Sequence, residues 1–374
     1  MSTNPDGRAW MEVDPAALRR NVGRVRASVG PDVGLVPMVK ADGYGLGMEE
    51  VTATLEGEDP WGFGVATVAE GLVLRAAGSS RRVVVFSPSP PDELEAGVRG
   101  GLRVSVSDAA TLRHLGALAA RGARPVFHLE IDTGMGRAGV DPRRLDGWRP
   151  ALDEAVAAGA RWEGVYTHLH SAEDGPASIR GQVSLFQDTV ELLDSPEEVL
   201  RHVLNSAGAF HAPELAGHLV RPGIFLYGGA VGADVPAPEA VASVRARVVH
   251  VRESVEGDTL GYGSTWVAEG PQRWATVSIG YADGLPRALS NRGSALVAGR
   301  RVPIIGRISM DVTVVDISSI PSVSPGQVVT FLGRDGDEVI TVDEIAGLAG
   351  TISYEILTGF TPRLPRIWGA AGGA

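Results

Sequence analysis

The sequence predicts an α/β protein: an N-terminal (β/α)8 TIM barrel followed by a mainly β C-terminal domain. Three observations carry this reading. Eight short β-rich runs alternate with helical stretches, the pattern of a closed parallel barrel. Past a Gly-, Ala- and Pro-rich stretch at 228–240 the texture changes to short β-type runs split by Gly, Asp and Pro. At 374 residues the chain also exceeds what one core usually organises. The expected domains are a barrel at 13–230, a linker at 231–240 and a β-domain at 241–374, with residues 1–12 expected to lend a strand to the β-domain.

Asp14-Pro15-Ala16-Ala17-Leu18 opens the first helix, with an N-cap aspartate and proline at the first helical position. The first barrel strand is expected in Val33–Val39. Further strands are expected near Trp61–Thr67, Arg82–Ser87, Arg103–Ser107, Pro125–Asp132, Gly164–His170, Val203–Asn205 and Leu219–Leu226. Helices are expected between most of them, at Val68–Ala77, Ala109–Arg121 and Ile179–Leu193. In the β-domain the expected runs are Val244–Val251, Ala275–Ile279, Ser294–Val297, Arg301–Ile305, Val312–Ile317 and Gln327–Leu332, interrupted by one short helix at Val342–Ala349. The Ala- and Gly-rich end after Trp368 reads as a frayed tail.

Composition excludes several function classes. There is no cysteine, so disulfides, zinc–thiolate sites and cysteine nucleophiles are absent. The net charge is −11 and the arginines are scattered, which gives no footprint for nucleic acid or an anionic membrane. No apolar run approaches the roughly 18 residues of a membrane helix. Met1–Gly7 has neither the basic region nor the apolar core of a signal peptide, and a cytoplasmic location is expected.

Lys40, in Val39-Lys40-Ala41-Asp42-Gly43-Tyr44-Gly45, is the only lysine of the chain. A guanidinium is effectively never deprotonated, whereas a partly desolvated amine is a nucleophile. Lys40 follows a buried strand and precedes a glycine-rich turn, which points to a Schiff-base lysine. On the same predicted rim Ser206 offers a hydroxyl and Gly223 allows close backbone approach, as a phosphate site requires. Taken alone, Ser206 is equally a helix cap and Gly223 a turn glycine. An amine together with a phosphate cradle suggests pyridoxal 5'-phosphate. Arg221 and Arg137 are candidates for the polar atoms of its ring, with surface ion pairing the alternative. An arginine at the pyridine nitrogen donates a hydrogen bond without protonating the ring, which weakens the electron sink. His168 and His170 are expected to share a strand face. No carboxylate and histidine set accompanies them, so packing against a cofactor is favoured over a metal site, and none is expected. Tyr262, between two glycines, reads by itself as a turn aromatic.

Together these segments resemble the alanine racemases, fold-type III pyridoxal-phosphate enzymes. The resemblance runs from the Lys40 motif through Asp132-Thr133-Gly134-Met135-Gly136-Arg137, Thr167-His168, Asn205-Ser206 and Arg221-Pro222-Gly223-Ile224. It continues through Gly261-Tyr262-Gly263, Gly280-Tyr281-Ala282-Asp283-Gly284, Gly306-Arg307-Ile308-Ser309-Met310-Asp311 and Ile352-Ser353-Tyr354-Glu355. It implies that Lys40 carries the cofactor and acts as a base on one face of the substrate, while Tyr262 from the other subunit acts on the opposite face. It implies that Arg221 faces the pyridine nitrogen and that Arg137 faces the phenolic oxygen and the substrate carboxylate. His168 packs near the ring, and Tyr44, Ser206, Gly223, Ile224 and Tyr354 contact phosphate. Met310 of the partner lines the substrate pocket, and Tyr281, Arg287 and Arg307 match an access corridor. The implied assembly is a head-to-tail homodimer with shared active sites.

One position departs from the family. Glu130 stands where many members carry a carbamylated lysine, and its side chain is shorter by about three bonds, roughly 3–4 Å. A contact from Glu130 to Arg137, direct or through water, is expected if this carboxylate takes over that role. Preference for serine or another small amino acid, and a pyridoxal-phosphate-binding protein without activity, remain as alternatives. A related pyridoxal-phosphate decarboxylase is disfavoured, because the usual active-site cysteine has no counterpart here.

Overall fold

A computed structural model describes residues 7–369. Residues 1–6 and the expected tail from residue 370 onward therefore lie outside the described residues. Strand β1 (Ala9–Val13) precedes a helix, Pro15–Val29, whose Asp14 cap accepts from the N–H groups of Ala16 and Ala17. The barrel follows, with β2 (Gly34–Leu35), β3 (Gly62–Val65), β4 (Arg82–Val85), β5 (Arg103–Val106), β6 (Val126–Glu130), β7 (Arg161–Tyr166), β8 (Leu200–His202) and β9 (Leu219–Val220). Strands β3 to β8 form one parallel sheet in sequence order, and β2 pairs in parallel with β9. A parallel bridge between Met38 and Gly64 joins the pair to β3, and the Arg221 N–H donates to Leu204 O at 2.9 Å on the β8 side. The ring of strands closes through these junctions, helped by Trp61 N–H donating to Leu35 O at 2.9 Å and His218 N–H donating to Arg201 O at 2.8 Å.

The barrel strands are short and almost fully buried, as expected of a parallel sheet covered by helices. Several expected boundaries move. The first strand, expected in Val33–Val39, is Gly34–Leu35, and the eighth, expected near Leu219–Leu226, ends at Val220. The sixth strand, expected at Gly164–His170, begins at Arg161 and ends at Tyr166, because its first half carries Arg161, Trp162 and Glu163 rather than an apolar run. The seventh, expected at Val203–Asn205, is Leu200–His202, and Val203 and Leu204 are buried past its end.

Residues 228–241 contain neither helix nor strand. Asn21 pins this connection to the first helix, accepting from Glu239 N at 2.8 Å and donating to Glu239 O at 2.9 Å. Beyond it β10 (Ala242–Ser254) pairs antiparallel with β1, and β1 pairs in parallel with Arg366–Trp368. These belong to a nine-stranded sheet, the body of the β-domain. Two helices rather than one lie within it, Val342–Ala349 and Ser353–Gly359. The second starts at Ile352 with no side-chain cap, so the usual sequence signal for its start is missing.

That second helix packs on the turn after Lys40. Gly45 has φ of +82°, and a Cβ there would lie 2.5 Å from Leu357 O. Arg366 closes the same junction by donating to Gly45 O from Nε at 3.0 Å and Nη2 at 2.8 Å. Gly45→Ala combines left-handed strain with overpacking and is expected to destabilise the fold by about 2–4 kcal/mol. Urea unfolding of the variant checks this; a midpoint equal to the parent's contradicts the close approach.

Candidate active site

Lys40 ends the Val36–Val39 segment and begins an unusual turn. Ala41, Asp42, Gly43 and Tyr44 all have positive φ, from 53° to 60°, with ψ from 36° to 50°. Left-handed backbone costs each non-glycine residue roughly 1–2 kcal/mol, so the turn persists only where other contacts hold it. Glu70 holds one end: its Oε1 accepts from Ala41 N at 2.7 Å, and its Oε2 from Ala66 N at 2.7 Å and Thr67 N at 3.1 Å. Asp42 holds the other, accepting from Met48 N at 2.8 Å. Glu70 is missing from the expected site residues, yet Thr67-Val68-Ala69-Glu70 carries the capping-box spacing that reveals it.

The turn opens onto a cavity of about 550 Å³. It gathers Lys40, Tyr44, Arg137, His168, Ser206, Arg221, Gly223, Ile224 and Tyr354 from loops after five different strands and from the helix of the β-domain. Lys40 is pushed below the ordinary lysine value, first by burial and then by the Arg137 charge, with Glu70 acting weakly in the other direction. An amine in this setting is nucleophilic closer to neutral pH.

On one side of the cavity the donor set suits a phosphate. Asn205, and not Ser206, caps the helix Ser206–His211 by accepting from Gly208 N at 2.9 Å. Ser206 Oγ is thus free to accept from Gly223 N at 2.7 Å, which leaves its hydroxyl hydrogen to a ligand. A Cβ at Gly223 would run into the Tyr44 hydroxyl. Tyr44 stacks on Tyr227 at 4.3 Å between ring centroids, and the Tyr227 hydroxyl donates to Met38 O at 2.8 Å. Burial raises the Tyr44 and Tyr354 hydroxyls, Tyr354 to about 12, so both remain proton donors.

Arg221 sits just past the end of β9 and is fully buried. Its Nη1 donates to His202 O at 2.7 Å and His202 Nδ1 at 3.0 Å, and its Nη2 to Thr167 O at 2.8 Å and Val203 O at 3.3 Å. Those four bonds use all four Nη protons, so Nε–H is the donor left for a group in the cavity. Burial lowers the guanidinium to about 10, which still leaves it charged at neutral pH. A surface ion pair, the alternative fate of this arginine, does not describe it.

His168 and His170 do not share a strand, because β7 ends at Tyr166. Both still line the cavity, where His168 is half-buried and His170 is exposed with Nδ1 2.8 Å from Ser171 Oγ. Burial, Arg221, Arg137 and Lys40 push His168 down to about 3, so it is neutral. Glu130 also lines the cavity, but among the described residues no ion pair joins it to Arg137, contrary to a direct contact. Its Oε2 accepts from Ser107 Oγ at 3.1 Å instead. Burial raises the Glu130 carboxyl, opposed by Ser107, Tyr166 and the charges of Arg221 and Arg137. Tyr262 and Met310 do not line the cavity of this chain; they are exposed, by 71% and 52%.

With this geometry the comparisons are specific. The alanine racemase N-terminal domain model matches residues 13–231, and the alanine racemase C-terminal domain model matches 241–368. The chain belongs to the alanine racemase family. It is 36% identical over 355 residues to the alanine racemase of Syntrophobacter fumaroxidans, covering 93% of this chain and 94% of that one. It is 37% identical to that of Cutibacterium acnes over 366 residues, covering 95% and 96%. Among solved structures, the alanine racemase of the D-cycloserine producer Streptomyces lavendulae superposes with a TM-score of 0.92 at 31% identity, covering 99% of each chain. That of Bartonella henselae, with covalently bound pyridoxal phosphate, gives a TM-score of 0.89 at 29% identity, covering 97% of this chain and 99% of that one.

The depressed His168 value gives a signed expectation. Below about pH 6.5 the unfolded chain takes up a proton that folded His168 refuses, so stability falls as pH drops from there towards about 3. Between about pH 7 and pH 5 this group alone accounts for roughly 1–2 kcal/mol. Urea unfolding at both values should therefore show a smaller loss for His168→Asn than for the parent, and equal losses contradict a neutral His168.

Proposed function

We propose that this protein is a pyridoxal-phosphate-dependent racemase that interconverts L-alanine and D-alanine by a two-base mechanism. The observation that carries it is one cavity holding the only lysine, a hydroxyl and N–H cradle, and a buried arginine with one donor to spare. The residues fit the cofactor, since a phosphate dianion calls for the Tyr44, Ser206 and Tyr354 hydroxyls and the backbone at Ile224, while Gly223 N–H holds Ser206 Oγ in place and its missing Cβ leaves room beside Tyr44. Bound there, pyridoxal phosphate supplies covalent attachment of an amine and an electron sink that acidifies the α-proton of an amino acid.

The chain's own groups do the rest. Lys40 Nζ would be the attachment point and a base on one face of the substrate α-carbon. Arg221 Nε–H would face the pyridine nitrogen and, as a donor that keeps its proton, would restrain the electron sink and disfavour transamination. Arg137 pairs with the substrate carboxylate, and neutral His168 packs against the ring without adding positive charge.

Inversion requires a proton carrier on each face; Lys40 serves one, and Tyr262, the carrier for the other, lies outside the cavity of its own chain. Tyr262 and Met310 are exposed in the single chain, which supports their delivery to the cavity of a second copy, Tyr262 as the second base and Met310 as a pocket wall. The protein is then a homodimer with shared active sites, with Tyr281, Arg287 and Arg307 along the access route. Among the described residues no helix is long and apolar enough to cross a membrane, in keeping with a cytoplasmic enzyme that supplies D-alanine for peptidoglycan precursors.

A chiral assay on purified protein with pyridoxal phosphate tests this reading against the common amino acids. D-alanine should form from L-alanine faster than D-serine from L-serine; no product from either contradicts racemisation. Tyr262→Phe should lower turnover about 10²–10⁴-fold while keeping the cofactor. Mixing it with Lys40→Ala should restore activity, because heterodimers regain one complete site. Absence of recovery after proven subunit exchange contradicts the shared site.

A further inference from the structure

Beneath the cavity a line of buried polar side chains descends inside the barrel. From Arg221 Nη1 the line passes to His202 Nδ1 at 3.0 Å. His202 Nε2 lies 2.8 Å from His128 Nδ1, and His128 Nε2 lies 3.3 Å from Glu163 Oε2. Glu163 in turn accepts from Arg103 Nε at 3.0 Å and from Arg161. His202 is the last residue of β8, His128 the third of β6, Glu163 the third of β7 and Arg103 the first of β5. The line therefore runs from the cavity towards the end where the strands begin.

These donors and acceptors permit one arrangement of protons. A guanidinium only donates, so His202 Nδ1 carries no proton and Nε2 does. His202 then donates to His128 Nδ1, which places the His128 proton on Nε2, facing the Glu163 carboxylate. All bonds point the same way, from the guanidinium to the carboxylate. The charges agree: burial pushes both imidazoles below the ordinary histidine value, His202 helped by Arg221. Against the upward push of burial, His128 and Arg103 hold Glu163 down to about 2, so it stays an anion that only accepts.

The backbone is shaped for this line. Phe127 pairs with Trp162 and His128 with Gly164, so Glu163 is an extra residue of β7 with no partner on β6. A bulge of this kind re-aims a side chain, and here it brings Glu163 against His128. At Gly164 a Cβ would lie 2.5 Å from His128 Nδ1, so only glycine leaves room for the imidazole pair. Tyr166 stacks on the His202 ring at 5.0 Å between centroids, fixing its plane.

We propose that Glu163 is a positioning residue that orients the Arg221 guanidinium at the cavity by setting the proton positions of His128 and His202. Its effect on turnover rests on the placement of Arg221 at the cofactor ring; the proton arrangement stands without it. Removing the Glu163 charge frees His128 to take the other tautomer. That would turn His202 Nδ1 into a donor facing Arg221 and loosen the guanidinium. Partners that act in this indirect way on metal ligands alter activity about 10–100-fold, and the same scale is expected here.

The test joins two readouts on the holoenzyme. Nitrogen-15 NMR of histidine-labelled protein at about pH 7 should show His128 and His202 neutral with the proton on Nε2. Glu163→Gln should populate the Nδ1–H form of at least one. It should also lower kcat about 10–100-fold, with a smaller change in KM for alanine and a shifted visible spectrum of the cofactor, while Glu163→Asp restores part of each. A parent protein with its proton on Nδ1 of either histidine overturns the proposal. So does Glu163→Gln with unchanged tautomers, kcat and spectrum, and so does a variant that loses only thermal stability. The histidine signals do not depend on turnover, so failure of this chain is distinguishable from failure of the racemase reading.

Discussion

The left-handed turn at Ala41–Tyr44 is the constraint on which the site depends. Three non-glycine residues in that conformation cost about 3–6 kcal/mol, and the return is position. The turn sets the lysine at the cavity and, four residues later, the Tyr44 hydroxyl beside Gly223. It is held from both domains. Glu70 clamps it to the start of the helix Val68–Ala76, and Gly45 lets it meet Leu357 on the helix that carries Tyr354. Amine, hydroxyl and cavity wall are therefore one mechanical unit.

Electrostatics completes what the turn begins. Lys40, Arg137 and Arg221 converge on one cavity, with Glu130 the buried carboxylate among them. Concentrated positive charge in a partly buried space favours an anionic ligand and lowers the amine that must react. Burial, aided by the same charges, holds His168 neutral, so an imidazole can pack there without adding to the repulsion. Arg221 tolerates full burial because carbonyls and an imidazole take its Nη protons. Glu130 is committed to Ser107 at 3.1 Å, and the shorter side chain makes no ion pair with Arg137, unlike a residue that had simply replaced a longer carbamylated lysine.

Local signals are legible in this sequence and long-range ones are not. The strand–helix alternation is legible because buried parallel strands such as Arg82–Val85 are short β-branched runs. Lys40 stands out as the only lysine of the chain, whereas Ser206 and Gly223, each with an ordinary use as helix cap or turn glycine, stand out only beside it. The polar opening of β7 hides its true start, and with it the bulge that turns Glu163 inward. His128 and His202 read as ordinary strand residues until the barrel brings positions 74 residues apart within hydrogen-bonding distance. Tyr262 is legible only through its family motif, since nothing in one chain brings it to the cavity.

The most direct test of the account is where the cofactor attaches. Purified protein reconstituted with pyridoxal phosphate, reduced with borohydride and digested, should carry its label on the peptide containing Lys40, because no other lysine exists. A protein that takes up no cofactor, or a label on any other peptide, contradicts it.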